Sequence, residues 1–314
     1  MQLFTETLII VLPVFLVIGL GVLLKHLRLF DDAFLHQTNR LVYLVFLPIL
    51  LFYKIGTADF SSFFNGPLVI ASSLTIFLGF VLSYVYAMWR KFPPSVHGSF
   101  SQGAFRGNLA YVGLAICLNA YGENGLTGAG ILMGFLVPVL NLFAILALLL
   151  PQSGLADDKR PSWCSQLLLN PLILASFLGI VWSYFSLPLP VIIDRSLRIT
   201  TGLALPLALL AIGGSFSMAR LRGDLKLAGL ASFIKLLILP LFAFLLLYPF
   251  GVSGQNLGIG ILMAGTPAAT ATYIMAHQMR GDAELAGSIV MLSTLASAFS
   301  YTLLLLLLKT SGLL

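Results

Sequence analysis

The sequence predicts an all-α integral membrane protein: ten transmembrane helices, arranged as two inverted five-helix repeats with broken, crossing fourth and ninth helices. Three observations lead there. The first is composition, with 59% of the 314 residues hydrophobic and only 9% charged, against about 25% charged in an ordinary soluble domain. A soluble core of this size has nowhere to hide so much apolar surface. The second is a succession of apolar runs of membrane-spanning length. The third is a set of matched residues at one fixed spacing between the two halves.

The first run, at about 7–24, lies in "MQLFTETLIIVLPVFLVIGLGVLL". It lacks the basic n-region and the small-residue cleavage site of a secretory signal, so it is expected to be a retained first span. Further runs follow at about 38–55, 67–89, 97–120, 126–150, 169–186, 194–214, 226–250, 256–278 and 284–308. Each can cross a hydrocarbon core of ~30 Å at ~1.5 Å per residue. Residues 1–155 are expected to form the first repeat, 156–168 a cytoplasmic linker and 169–314 the second repeat. The longest connection, "PQSGLADDKRPSWCSQ", is short, so no soluble domain fits and any chemistry must occur at membrane depth. Cys117 falls in a span and Cys164 in the linker; their spacing suggests neither a metal site nor a disulfide.

Basic residues sort by side. Lys25, Arg28, Arg40, Arg90, Lys91, Lys159, Arg160, Arg220, Arg222, Lys226 and Arg280 lie in loops after odd-numbered spans. Only Lys54, Arg195, Arg198 and Lys309 lie after even-numbered spans or in the tail. The positive-inside rule then puts the basic loops in the cytoplasm and both termini outside the plasma membrane. Arg106 and Lys235 belong to neither set, because they fall inside predicted spans.

The linker divides the spans into five and five. Five is odd, so a duplicated half would be inverted. A shift of 158 residues carries Pro13 onto Pro171, Gly21 onto Gly179, Arg40 onto Arg198, Pro48 onto Pro206, Gly56 onto Gly214 and Gly107 onto Gly265. The strings "LPILLFYKIG" and "LPLALLAIGG" align at that shift. Leucine matches mean little in such a chain, whereas two proline pairs among 15 prolines mean more. Inverted repeats are typical of secondary transporters, whose sites lie where discontinuous helices meet near the midplane.

The fourth and ninth spans carry helix breakers at matched places, "AFRGNLAY" and "LMAGTPAATATY". Glycine costs about 1 kcal/mol in a helix interior and proline about 3, and Pro267 cannot donate to the helix ladder. In lipid such breaks persist only inside protein or beside a wet cavity. One break alone would read as a simple kink; two in matched positions point to a binding site.

Arg106 and Lys235 each lie about 9 residues into their spans, ~14 Å deep. Insertion of each such cation costs about 2.5 to 3.5 kcal/mol. The acids Glu6, Asp31, Asp32, Asp59, Glu123, Asp157, Asp158, Asp194, Asp224, Asp282 and Glu284 all map to loops or span ends. Two deep cations without a deep carboxylate suggest that the substrate brings the negative charge, with half-helix N-termini adding positive potential. The plainer alternatives are that Arg106 caps half-helix carbonyls, and that Lys235 is structural or reaches a lipid phosphate. Asn108 could bind both backbone and a carboxylate. Thr266, Thr270 and Tyr273 after the second break could do the same. Tyr111 and Asn141, in "LVPVLNLF", are further candidates, each also readable as a helix-packing residue.

These features together resemble the auxin efflux carrier family, whose bacterial members are usually described as malate or malonate permeases. The carrying residues are the asparagine in "FRGNLAYVGLAICLNAYG", the proline in "ILMAGTPAATATYIMAHQM", and the five-plus-five plan. The resemblance covers essentially the whole chain and implies a bacterial inner-membrane location. It implies a scaffold from residues 1–60 and 168–218, with spans three to five and eight to ten moving against it. It also implies a carboxylate held at the crossing, near Asn108 and the backbone of Gly107, Gly265 and Pro267. Plant members have proline where this chain has Gly107, and many carry a long cytoplasmic loop that here is reduced to about sixteen residues.

The expected activity is elevator-type secondary transport of small organic anions, mono- or dicarboxylates such as malate, malonate or auxin-like acids. A sodium-coupled carrier of the bile-acid type and an anion channel are the alternatives. An intramembrane enzyme is not expected, because no paired carboxylates, metal cluster or Ser–His pair falls at depth. His97 and His277, near span ends, are poorly placed as proton relays. No cofactor and no nucleic-acid partner are expected; the partners are the anion and membrane lipids, with monomer and homodimer both open.

Overall fold

Helices in this chain begin where a short polar side chain can cap them. Asp31, Asn65, Asn170, Asp224 and Asp282 accept hydrogen bonds from the backbone N–H groups of Phe34, Leu68, Leu172, Leu227 and Leu285. This satisfies donors that a helix start leaves without an intrahelical partner. It also explains why these acids lie at helix starts and not at membrane depth. The computed structural model describes residues 2–152, 170–216 and 223–312. The expected linker 156–168, with Asp157, Asp158, Lys159, Arg160 and Cys164, and Arg220 and Arg222 lie outside the described residues.

The described residues form helices and connecting turns, with no strand beyond one isolated bridge. Seven helical segments are long and apolar enough to cross a membrane. They are α1 (Gln2–His26), α2 (Asp32–Gly56), α3 (Gly66–Trp89), α5 (Leu109–Gln152), α7 (Val191–Gly214), α8 (Leu225–Leu247) and α11 (Ala283–Thr310). Four shorter helices are α4 (Pro94–Phe105), α6 (Pro171–Tyr184), α9 (Gly254–Ala264) and α10 (Ala271–Gln278), and a single helical turn lies at Phe60–Phe63.

The turn read between the spans at 97–120 and 126–150 corresponds to a break in helical geometry within α5 at Gly122, with φ 63° and ψ −152°, so that α5 consists of two helices that meet there. That conformation is open to glycine and closed to residues with a Cβ. The segment expected as a sixth span is α6, only 14 residues long. Cys117 is a buried free thiol in α5.

Helices α1 and α7 pack closely, as do α2 and α6. Glycine permits both approaches. A Cβ on Gly213 would lie 3.0 Å from the Cα of Gly21 at the α1–α7 crossing. At the α2–α6 crossing, a Cβ on Gly179 would lie 3.0 Å from Ile55 Cβ and 3.2 Å from Phe52 O, with Gly56 alongside. Small residues let membrane helices gain close van der Waals contact, which substitutes for the absent hydrophobic drive between them. The outer faces remain apolar: Ile192 and Phe299 are more than four-fifths exposed, as hydrocarbon-facing residues should be.

Candidate functional site

The two breaks cross each other. Helix α4 ends at Phe105, and Arg106 continues in extended conformation, φ −76° and ψ 98°. Asn108, φ −82° and ψ 68°, then caps the start of α5 by accepting from the Tyr111 N–H through Oδ1 at 3.3 Å. In the other half, α9 ends at Ala264, Gly265 caps it, and Pro267 keeps Thr266 from continuing the helix. The extended pieces run antiparallel, with Gly107 opposite Ala268. The Asn108 N–H donates to Pro267 O at 2.8 Å, and the Ala269 N–H donates to Arg106 O at 2.9 Å. Ala268 N–H donates to Ser293 Oγ of α11 at 3.0 Å. Each break thus satisfies backbone groups of the other, which lipid cannot do.

Successive residues of an extended chain point to opposite faces. Arg106 and Asn108 share one face; Gly107 faces the other. On the first face, the buried Arg106 guanidinium donates through Nη2 to Asn141 Oδ1 of α5 at 2.8 Å, and Nη1 contacts Met275 Sδ of α10. Tyr111, one turn beyond Asn108, points its hydroxyl at Asn39 Oδ1 of α2, 3.5 Å away. Tyr273 and Thr270 are half-buried at the start of α10, and Thr270 makes no side-chain cap there.

On the second face, a Cβ at position 107 would collide with Thr266 Oγ1 and lie 3.1 Å from Lys235 Cε. Only glycine fits there. Lys235, 1% exposed, donates from Nζ to Ala264 O at 2.5 Å. It neutralises the carbonyl end of α9, the helix-end role weighed for Arg106. Thr266 Oγ1 donates to Met263 O at 2.9 Å. The cavity beside Lys235 is about 20 Å³, roughly one water and too small for a dicarboxylate. Neither Arg106 nor Lys235 has a carboxylate partner among the described residues.

Two broken helices crossing in an apolar, many-helix chain, with a lone arginine beside them, is a transporter's arrangement. Residues 7–305 match the family model described as membrane transport protein. The chain belongs to this family. That is the auxin efflux carrier family which the sequence motifs resemble. A protein of Methanothermobacter thermautotrophicus named "uncharacterized transporter" is 27% identical over 300 residues, 95% of this chain and 96% of its own. One of Rhizobium meliloti named "putative malonate transporter" is 22% identical over 312 residues, covering 97% and 96%. The Escherichia coli K12 protein YfdV, also named an uncharacterized transporter, is 22% identical over 290 residues, covering 89% and 92%. The family and these relatives are transporters and not enzymes. This member of the membrane transport protein family is therefore a multi-pass membrane protein.

The sequence reading missed four residues of the crossing. Gln102, fully buried one turn before Arg106, donates from Nε2 to Thr272 O at 3.1 Å and ties α4 to α10. An amide inside an apolar run is the signal that marked Asn108, and it was present here too. Ser293, Met275 and Asn39 carry no such mark; only the fold brings them in.

A cleft of about 630 Å³ lies elsewhere, between α1, α2, α5 and α7. Pro13, Pro206, Lys54, Arg198 and Ala115 line it, and none of the sequence-predicted site residues does. Ala115 sits one helical turn beyond Tyr111 on α5.

Proposed function

We propose that this protein is a secondary carrier of small organic anions, working by elevator-type alternating access. The observation that carries this reading is the face shared by Arg106 and Asn108. The Asn108 Oδ1 is engaged by the Tyr111 N–H, which leaves its amide N–H₂ to donate to a carboxylate. The first N–H groups of α5 have no carbonyl one turn back within the helix, so they too favour an anion. Arg106, held by Asn141, supplies charge at a point where no described residue supplies an acid. Mono- and dicarboxylates such as malonate or malate, or auxin-like acids, fit that chemistry. The name of the Rhizobium meliloti relative points to malonate.

The reading extends to ten spans in two inverted repeats, 1–155 and 169–314. In it, α4 with the first part of α5 forms the fourth span, and α9 with α10 the ninth. Two features support it. The glycines matched at a shift of 158 residues, Gly21 with Gly179 and Gly56 with Gly214, sit at or beside the two tight crossings, α1–α7 and α2–α6. An inverted repeat exchanges those two crossings. The crossing of the breaks is itself nearly two-fold, with Gly107 facing Ala268. In this scheme residues 1–60 and 168–218 are the scaffold, the basic loops are cytoplasmic, and the ~630 Å³ cleft opens on the opposite face.

A sodium-coupled carrier is the second reading. Gln102 Oε1 and Thr272 Oγ1 are buried beside the crossing without a hydrogen-bond partner among the described residues, and such oxygens suit a hard monovalent cation. Thermal-shift screening of the purified protein against malonate, malate and indole-3-acetate, followed by counterflow in proteoliposomes, tests the carrier reading. Saturable counterflow supports a carrier, and conductance without counterflow overturns it in favour of a channel. Uptake that requires sodium over potassium selects the second reading. A ligand that stabilises Asn108→Ala and Arg106→Ala as well as the parent would refute the site.

A further inference from the structure

Two exposed arginines lie 158 residues apart, Arg40 in α2 and Arg198 in α7, and each precedes the proline of its helix, Pro48 or Pro206, by eight residues. Arg198 lines the ~630 Å³ cleft. The cleft's other cation, Lys54, is held by Glu123 at 2.5 Å. Its tyrosine, Tyr53, donates to Asp194 at 2.9 Å. Arg198 makes no ion pair among the described residues, and Asp194, one turn before it on α7, is engaged by Tyr53, so the exposed Arg198 is the cleft cation that no carboxylate holds directly. A cleft with low-dielectric walls and one sign of free charge concentrates counter-ions.

Arg40 stands at the opposite end of its helix from Lys54. Its neighbour Asn39 meets the Tyr111 hydroxyl, so the start of α2 abuts the helix that leaves the crossing. Arg40 itself is exposed on α2, toward the end of that helix opposite Lys54.

We propose that Arg198 is an anion-gathering residue that takes a carboxylate of the incoming organic anion in the cleft, before the anion reaches Arg106 and Asn108. Arg40 is its repeat-related counterpart on the other membrane face. The inference rests on the organic-anion reading above and adds an assignment of one arginine to each face. Neither arginine belongs to the crossing, and both act by charge at a solvated surface. Their effect is on the apparent affinity for external substrate and not on the turnover of bound substrate.

The test is uptake of radiolabelled malonate into right-side-out and inverted membrane vesicles containing the full chain. Arg198→Gln should raise KM from one face by about 5- to 20-fold at low ionic strength, with the maximal rate retained. Arg40→Gln should do so from the opposite face. Arg198→Lys should restore most of the affinity, because a solvated charge and not a planar fork is required. The difference between Arg198→Gln and parent should shrink above ~0.5 M salt, where the screening length falls to a few Å. Arg195→Gln, a neighbouring arginine that does not line the cleft, controls for surface charge in general and should leave KM unchanged. Parent transport with KM unaltered by Arg198→Gln, or altered equally by Arg195→Gln, overturns this proposal and leaves the carrier reading standing. No malonate transport by the parent from either face, with no saturable uptake of malate or indole-3-acetate, overturns both.

Discussion

Asn108 and Pro267 meet across the two breaks: the Asn108 N–H donates to Pro267 O at 2.8 Å, while the Asn108 side chain caps the start of α5. One residue therefore joins the halves by its backbone and orders a helix start by its amide, with its N–H₂ left to face the Arg106 side.

Asn108 separates capping from binding. Asn108→Ala removes the cap and should lower stability by about 1 kcal/mol, with loss of the thermal shift given by malonate. Asn108→Asp keeps an acceptor for the Tyr111 N–H and places a negative charge on the anion face. It should fold as well as the parent and still show no malonate shift. A malonate shift in Asn108→Asp equal to the parent's would remove Asn108 from the site.

Gly107 tests the close packing behind the crossing. Gly107→Ala drives a Cβ into Thr266 Oγ1 and to within 3.1 Å of Lys235 Cε. Overpacking of this kind costs about 1–3 kcal/mol. Thr266→Ala in the same chain clears the obstacle and should recover a large part of the loss. A double-mutant cycle read by melting in detergent gives the coupling. Purely additive losses would show that the breaks do not pack as described.

Lys235 should behave as a structural cation. Lys235→Met removes the donor to Ala264 O and leaves a buried carbonyl at the end of α9 without it. Stability should fall by about 1–3 kcal/mol, with malonate affinity of the folded protein unchanged. A selective loss of affinity in a stable Lys235→Met protein would put Lys235 on the substrate face.

Two ion pairs join the proposed scaffold to the proposed mobile part, Lys54–Glu123 at 2.5 Å and Lys309–Glu6 at 3.0 Å. Exposed pairs contribute about 0.2–1 kcal/mol each, so neutralising either should alter transport rate modestly. A covalent link should do more. Lys54→Cys with Glu123→Cys, in a chain with Cys117 and Cys164 replaced by Ser, should be bridged by a bifunctional methanethiosulfonate reagent that spans the length of the two side chains, which should stop counterflow until the bridge is reduced. Full counterflow in the cross-linked protein would exclude relative movement of these parts.

Much of the fold is legible in the sequence because it depends on local quantities. Apolar runs follow from composition, and the asparagines and aspartates that start helices cap them within four residues. The breaks are visible because glycine and proline disrupt a helix wherever they stand, and Arg106 and Lys235 are visible because charge is rare at depth. Gln102 could have been read in the same way. Met275, Ser293 and Asn39 could not, since an ordinary residue gains a role only from what packs on it.

The sequence by itself determined that this chain lives in a membrane, where its two helices break, and that two cations lie deep without a nearby acid. Only the tertiary structure decided that the breaks pair with each other, and that Arg106 and Lys235 lie on opposite faces of that pairing. The physical reason is the alternation of an extended chain together with the partners each face meets. Arg106 reaches Asn141 on one face, whereas on the other Gly107 leaves room for Thr266 and for the lysine that closes α9. Those partners lie tens to more than a hundred residues away along the chain, and no local pattern encodes which of them a given break will meet.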